Sequence, residues 1–149
     1  MVCRLRRAGI RYENRDRWAN YRFPGPVVFG GDEVSKTRFL SSAEKGVLQQ
    51  FVRFITGLYP GNIDRIEVFG SKARGEARPD SDIDVLVLVD DKELFERDKA
   101  YDFILDANLE HGMLISLKLY EKKDFDKLLL AKVPFAMNIA REGTVLWAR

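Results

Sequence analysis

The sequence predicts an α/β (α+β) fold, a small mixed β-sheet flanked by helices, and three features carry that expectation. A helix start at Ser41 is followed by apolar residues at helical spacing. Seven residues, Ile83–Val89, are apolar at nearly every position. Residues 113–120 alternate. Strands interleaved with helical segments pack as a sheet covered by helices.

The elements follow in order. Ser41 and Glu44 have the spacing of a capping box, and Val47, Leu48, Phe51, Val52, Ile55 and Leu58 then mark one helical face. Pro60-Gly61-Asn62 closes that helix with a turn. Residues 65–69 read as a short strand with Ile66 and Val68 on one face. Residues 70–81 are small, polar and charged, a loop with room for one helical turn. Ile83–Val89 is a strand buried on both faces. Residues 91–110 are helical by pattern, with Leu94, Tyr101, Ile104, Leu105 and Leu109 near one side and Gly112 as the stop. Residues 113–120 form a third strand, with Met113, Ile115, Leu117 and Leu119 on one face and Leu114, Ser116, Lys118 and Tyr120 on the other. Helices follow over 121–131 and 134–142, Pro134 suiting a first helical position and Gly143 a stop. Residues 144–147 add a last short strand.

Composition narrows the class. A chain of 149 residues can bury a core of its own, and 46% hydrophobic with 32% charged residues is the balance of a soluble globular protein. No apolar run approaches the roughly 18–20 residues of a membrane span, and no apolar segment follows the N-terminal arginines as a signal peptide requires. A single cysteine, Cys3, cannot close an internal disulfide, and one histidine, His111, cannot build a zinc site. The expected location is the cytoplasm. His111, just before Gly112, reads as a complement to a helix dipole rather than a catalytic group.

Net charge is only +2, but its distribution is uneven. Residues 1–38 hold nine Lys or Arg, eight of them Arg, against four Asp or Glu. The expected division is a basic extension over residues 1–38 and a folded domain over residues 39–149. Such an arm can track phosphates, and Trp18, Tyr21 and Phe23 could stack on bases. The plainer reading is a solvated, partly disordered extension. A translation start at Val34 would remove most of it.

The chemistry lies between Val68 and Val85. Alternate strand residues share a face, so Asp82 and Asp84 project side by side while Ile83 and Val85 enter the core. Two like charges at the edge of an apolar strand repel and resist desolvation. A hard divalent cation relieves both, and Mg²⁺ favours carboxylate oxygens shared with phosphates and water. Upstream, Gly70 ends a strand where backbone must approach a ligand closely. The following amides and the Ser71 hydroxyl can donate to an anion. Lys72 and Arg74 add positive charge, Arg74 with a planar fork suited to phosphate. Asp-x-Asp alone would be read as a solvated strand entry. Gly-Ser, ten residues, then Asp-x-Asp arises by chance in well under about one chain in a hundred at average residue usage.

Phe69-Gly70-Ser71 followed by Asp82-Ile83-Asp84-Val85 resembles the signature of the polymerase-β-like nucleotidyltransferase superfamily. Gly-Ser-x-Ala-Arg-Gly and Ser-Asp-Ile-Asp are close to the form of its minimal, single-domain members. The resemblance covers roughly residues 41–147, including Arg141-Glu142-Gly143. It implies transfer of a nucleoside monophosphate, usually AMP from ATP, with pyrophosphate released. It implies that Gly70 and Ser71 bind the triphosphate with Arg74 as helper, and that Asp82 and Asp84 are the catalytic pair and hold Mg²⁺. Minimal members often pair with a helical HEPN toxin as its antitoxin, which makes a protein hydroxyl the expected acceptor.

One departure stands out. Relatives complete for catalysis carry a third carboxylate on the next strand, and Ser116 holds that position here, with Lys118 on the same face. Glu110 and Glu121, at the ends of that strand, are the nearby alternatives. Two rival functions therefore stay open: a nucleotide-binding antitoxin or regulatory subunit without turnover, and a transferase acting on a small molecule or on nucleic acid through the arginine-rich arm.

Overall fold

The computed structural model describes residues 39–78 and 80–149. The expectations for the basic arm, Cys3, the three arm aromatics and a start at Val34 lie outside the described residues.

Helix α1, Ser42–Leu58, begins where the sequence places it. Ser41 Oγ accepts from the Glu44 amide at 3.1 Å, and Glu44 accepts from the Ser41 amide at 2.7 Å. Two amides of the first turn are thereby satisfied reciprocally. Strand β1, Ile63–Phe69, starts two residues earlier than periodicity suggests, because an irregularity between Ile63 and Arg65 lets Ile63 pair with Val89. The four-residue helix α2, Ser71–Arg74, leads into the loop before strand β2, Ile83–Val89.

The expected helix over 91–110 is shorter than its pattern. A 3-10 turn covers Lys92–Leu94, and helix α3 spans only Arg97–His111. Side chains hold the intervening backbone extended. Asn62 bonds the Asp91 carbonyl and amide at 3.0 and 2.9 Å, while the Tyr59 hydroxyl binds the Glu96 backbone and its ring packs on Phe95. The inward face also differs. Ala100, Phe103, Ile104 and Ala107 are buried, whereas Leu94, Tyr101, Leu105 and Leu109 are exposed. Phe103 stacks on Phe54 with centroids 5.3 Å apart. Asp91 caps the 3-10 turn, its carboxylate accepting from the Glu93 amide. Asp90 beside it accepts from Arg149 at 2.8 Å.

Strand β3, Ile115–Glu121, precedes helices α4, Lys122–Leu130, and α5, Pro134–Glu142, and strand β4, Thr144–Ala148, ends the chain's ordered elements. The sheet order is β3-β2-β1-β4, with β2 and β3 parallel and the other pairs antiparallel. The result is the predicted mixed sheet flanked by helices.

Each sheet face has its own core. Ile66, Val68, Ile83, Val85, Val87 and Val89 pack against α1 and α3 on one face. Leu86 and Leu88 pack against Phe125, Ala136 and Ile139 of α4 and α5 on the other. Strand β2 is thus buried on both faces, as its near-continuous apolar run predicts. Among the described residues, no helix is long and apolar enough to cross a membrane.

Candidate functional site

At the end of β1, Phe69 pairs with Asp84 across the antiparallel ladder, so Gly70 follows directly beside that aspartate. Gly70 has φ 75° and ψ −156°, a conformation side chains exclude. A Cβ there would overlap the Asp84 carboxylate. Glycine is required twice over, by backbone angle and by the close approach of a carboxylate.

The turn opens α2. The Gly70 carbonyl accepts from the Ala73 and Arg74 amides at 3.1 and 3.2 Å. The amides of Ser71 and Lys72, one turn earlier, have no intrahelical acceptor by geometry. Ser71 is half-buried. The two cations of this helix part company. Lys72 turns inward and bonds Glu44 at 2.6 Å in a buried ion pair, so it is not the phosphate-facing charge its position suggested. Glu44's carboxyl is pushed up by burial, yet the hydrogen bonds from Lys72 and Ser41 outweigh this and hold it below its ordinary range. Arg74 stays at the surface, bonded to Glu76 at 3.0 Å and to Glu142 at 3.3 Å. Glu142 belongs to the Arg141-Glu142-Gly143 segment, so α5's end helps aim Arg74.

Two contacts set the entry to β2. Arg78 and Ser81 close a turn, and the Ile83 amide bonds the Leu114 carbonyl at 2.8 Å. Asp82, just before β2, is exposed, and Asp84, on the face of β2 opposite Ile83 and Val85, is half-buried. Asp84's carboxyl is pushed above its ordinary range by burial first and by the Asp82 charge second. Lys118, a Ser116 hydrogen bond and Arg74 oppose that rise. Asp82, Asp84, Gly70 and Arg74 therefore meet at one end of the sheet, with Ser71 beside them.

Strand β3 answers the question of a third carboxylate. Asp84 pairs with Ser116 in parallel register, so Ser116 occupies the facing position. Glu121 pairs with Val89 at the opposite end of β2 and is held by the Lys92 amide and Lys123. Glu110 lies beside His111 at the exposed end of α3. Among the described residues, no group of three or more His, Cys, Asp or Glu is placed to hold a metal. Two carboxylates are what the site offers a cation. Their chemistry fits one: hard oxygen donors, one disfavoured as a bare anion by burial and a like charge. A cavity of 360 Å³ beneath the turn, lined by Phe39, Ser41, Glu44 and Lys72 among others, includes neither aspartate. The carboxylate pair stands instead at one end of the central strand β2, with Asp82 exposed and Asp84 half-buried.

Sequence reading missed the destination of Lys72 and the Arg74–Glu142 contact. The capping-box glutamate gave no sign of its second partner, because Glu44 and Lys72 are 28 residues apart.

Comparison with known proteins bears on this arrangement. Residues 48–144 match the family described as nucleotidyltransferase domain. Two similar proteins come from Methanocaldococcus jannaschii, each named "Putative protein adenylyltransferase". MJ0604 is 31% identical over 104 residues, 70% of this chain and 98% of its own length. MJ0141 is 34% identical over 77 residues, 51% of this chain and 78% of its own length. A crystal structure of a toxin-antitoxin with AMP-PNP aligns with a TM-score of 0.48 at 17% identity, covering 70% of this chain and 73% of that one. About two-thirds of the chain matches one family, and the glycine-serine turn and aspartate pair fall within that match: the protein belongs to the nucleotidyltransferase domain family and is a nucleotidyltransferase.

Proposed function

We propose that this nucleotidyltransferase moves AMP from ATP to a protein hydroxyl, with residues 39–149 as its catalytic domain and residues 1–38 as an extension. The observation that carries the reading is the meeting of the Gly70 turn with the Asp84 carboxylate. The similarity to two relatives named as protein adenylyltransferases supports the acceptor class. From the minimal-family resemblance we take the acceptor to be a HEPN-type toxin in the cytoplasm, this chain acting as its antitoxin.

In this reading the Ser71 and Lys72 amides and the Ser71 hydroxyl hold the triphosphate, and Arg74 leaves one of its carboxylate partners to grip a phosphate oxygen. Asp82 and Asp84 hold Mg²⁺, which when bound neutralises triphosphate charge. The acceptor oxygen bonds the α-phosphorus, the bond to the β-phosphate oxygen breaks, pyrophosphate leaves, and the hydroxyl proton passes to solvent. Catalysis of this kind is chiefly positioning and electrostatics.

The Ser116 position favours a second reading, a nucleotide-binding antitoxin or regulatory subunit without turnover. One experiment separates them. Labelled ATP, Mg²⁺ and the product of the neighbouring gene should yield a labelled partner, and Asp82→Asn with Asp84→Asn should abolish the label. No label, with nucleotide still raising the melting temperature, selects the second reading. Labelling that survives the double substitution removes both aspartates from the mechanism.

A further inference from the structure

We propose that Lys118 supplies, from the protein itself, the positive charge a second divalent ion would bring beside Asp84, so that the site takes one divalent cation per bound nucleotide. The inference rests on the nucleotide-binding reading above and concerns what faces the aspartates from β3.

Parallel pairing places Ser116 opposite Asp84 and Lys118 opposite Leu86. Residues two apart on a strand share a face, so Ser116 and Lys118 both stand on the side that carries Asp84. Ser116 faces the Asp84 carboxylate across the ladder, and its hydroxyl and the Lys118 charge both favour that carboxylate's ionised form. A neutral hydroxyl is a poor ligand for a hard cation, which takes carboxylate and carbonyl oxygens by preference. An ammonium on the same face repels a cation approaching there. Together they remove a ligand from the second position and fill its electrostatic role.

The other cations nearby are committed elsewhere. Lys72 is buried on Glu44, and Arg74 is shared between Glu76 and Glu142. Lys118 is exposed, and among the described residues no ion pair holds it. It can swing toward a phosphate without breaking a contact. Burying a triphosphate against two aspartates calls for such a charge, and β3 presents it two residues beyond Ser116, on the same face.

The test counts ions. With a non-hydrolysable ATP analogue at limiting concentration, Mn²⁺ titration followed by electron paramagnetic resonance should give one bound ion per nucleotide-loaded chain. Ser116→Asp combined with Lys118→Ala should give two. Two ions in the unaltered protein, or one in the double variant with nucleotide bound, would overturn the proposal. Lys118→Met, an exposed change, should weaken binding of the Mn²⁺-loaded analogue about tenfold, and Lys118→Arg should restore most of it. An unchanged affinity in Lys118→Met also overturns the proposal. Failure of the unaltered protein to bind the analogue at all instead overturns the nucleotide-binding reading, and this inference with it.

Discussion

Strand β2 has two faces that begin alike and serve opposite ends. On one, Ile83, Val85, Val87 and Val89 run without interruption under α1 and α3. On the other, Leu86 and Leu88 lie under α4 and α5, while Asp84, next in the same row, is only half-buried. The first face is closed along its length; the second is closed until its last row. That last row holds the carboxylate, its serine partner and the glycine turn. A site arises here where helical cover stops short of the strand end, so that charged groups keep water on one side and structure on the other. The cations of α2 repeat the contrast, with Lys72 buried on Glu44 beneath the turn and Arg74 left at the surface.

The contrast can be broken from either side. Phe54→Ala removes a fully buried ring from the closed face and should cost about 4 kcal/mol in denaturant unfolding. If the loss is below about 1 kcal/mol, the closed face does not set stability. Glu44→Ala strands Lys72 without its partner and should cost about 3 kcal/mol, with Glu44→Gln milder because its amide oxygen still accepts. Gly70→Ala should cost about 2 kcal/mol through its positive φ. Its sharper signature is loss of any nucleotide-induced rise in melting temperature, since the new methyl displaces Asp84. A nucleotide shift that survives would separate the turn from binding.

The smallest effect is a pH slope. Glu67 is buried, and burial raises its carboxyl above the ordinary range despite the Arg65 ion pair. Because the folded state then holds that proton more tightly than the unfolded chain, stability should fall as pH rises from the ordinary glutamate range through Glu67's raised value. Glu67→Gln should lack that decline. Parallel melting curves for the two proteins across this range would contradict the assignment.

Much of the fold was legible because local chemistry and burial agreed. The Ser41–Glu44 capping box, the continuous apolar run of β2 and the alternation of β3 each specify one conformation and one inward face. The region before α3 was not, because Asn62 and Tyr59, some thirty residues upstream, hold residues 91 and 96 extended. The inward face of α3 was misjudged for a related reason. Periodicity weighs Leu105 and Leu109 above Ala100 and Ala107, but the face that turns inward is the one carrying Phe103, which packs on Phe51 and Phe54 of α1.

At the candidate site, residue types and spacing along one chain segment already paired a phosphate-binding turn with two carboxylates, since strand alternation alone puts Asp82 and Asp84 on one side. Spacing could not say which lysine faces a ligand, what stands opposite Asp84, or how far helices cover the sheet. Those depend on register between β2 and β3 and on contacts between distant segments, and both are fixed only when the whole core packs at once.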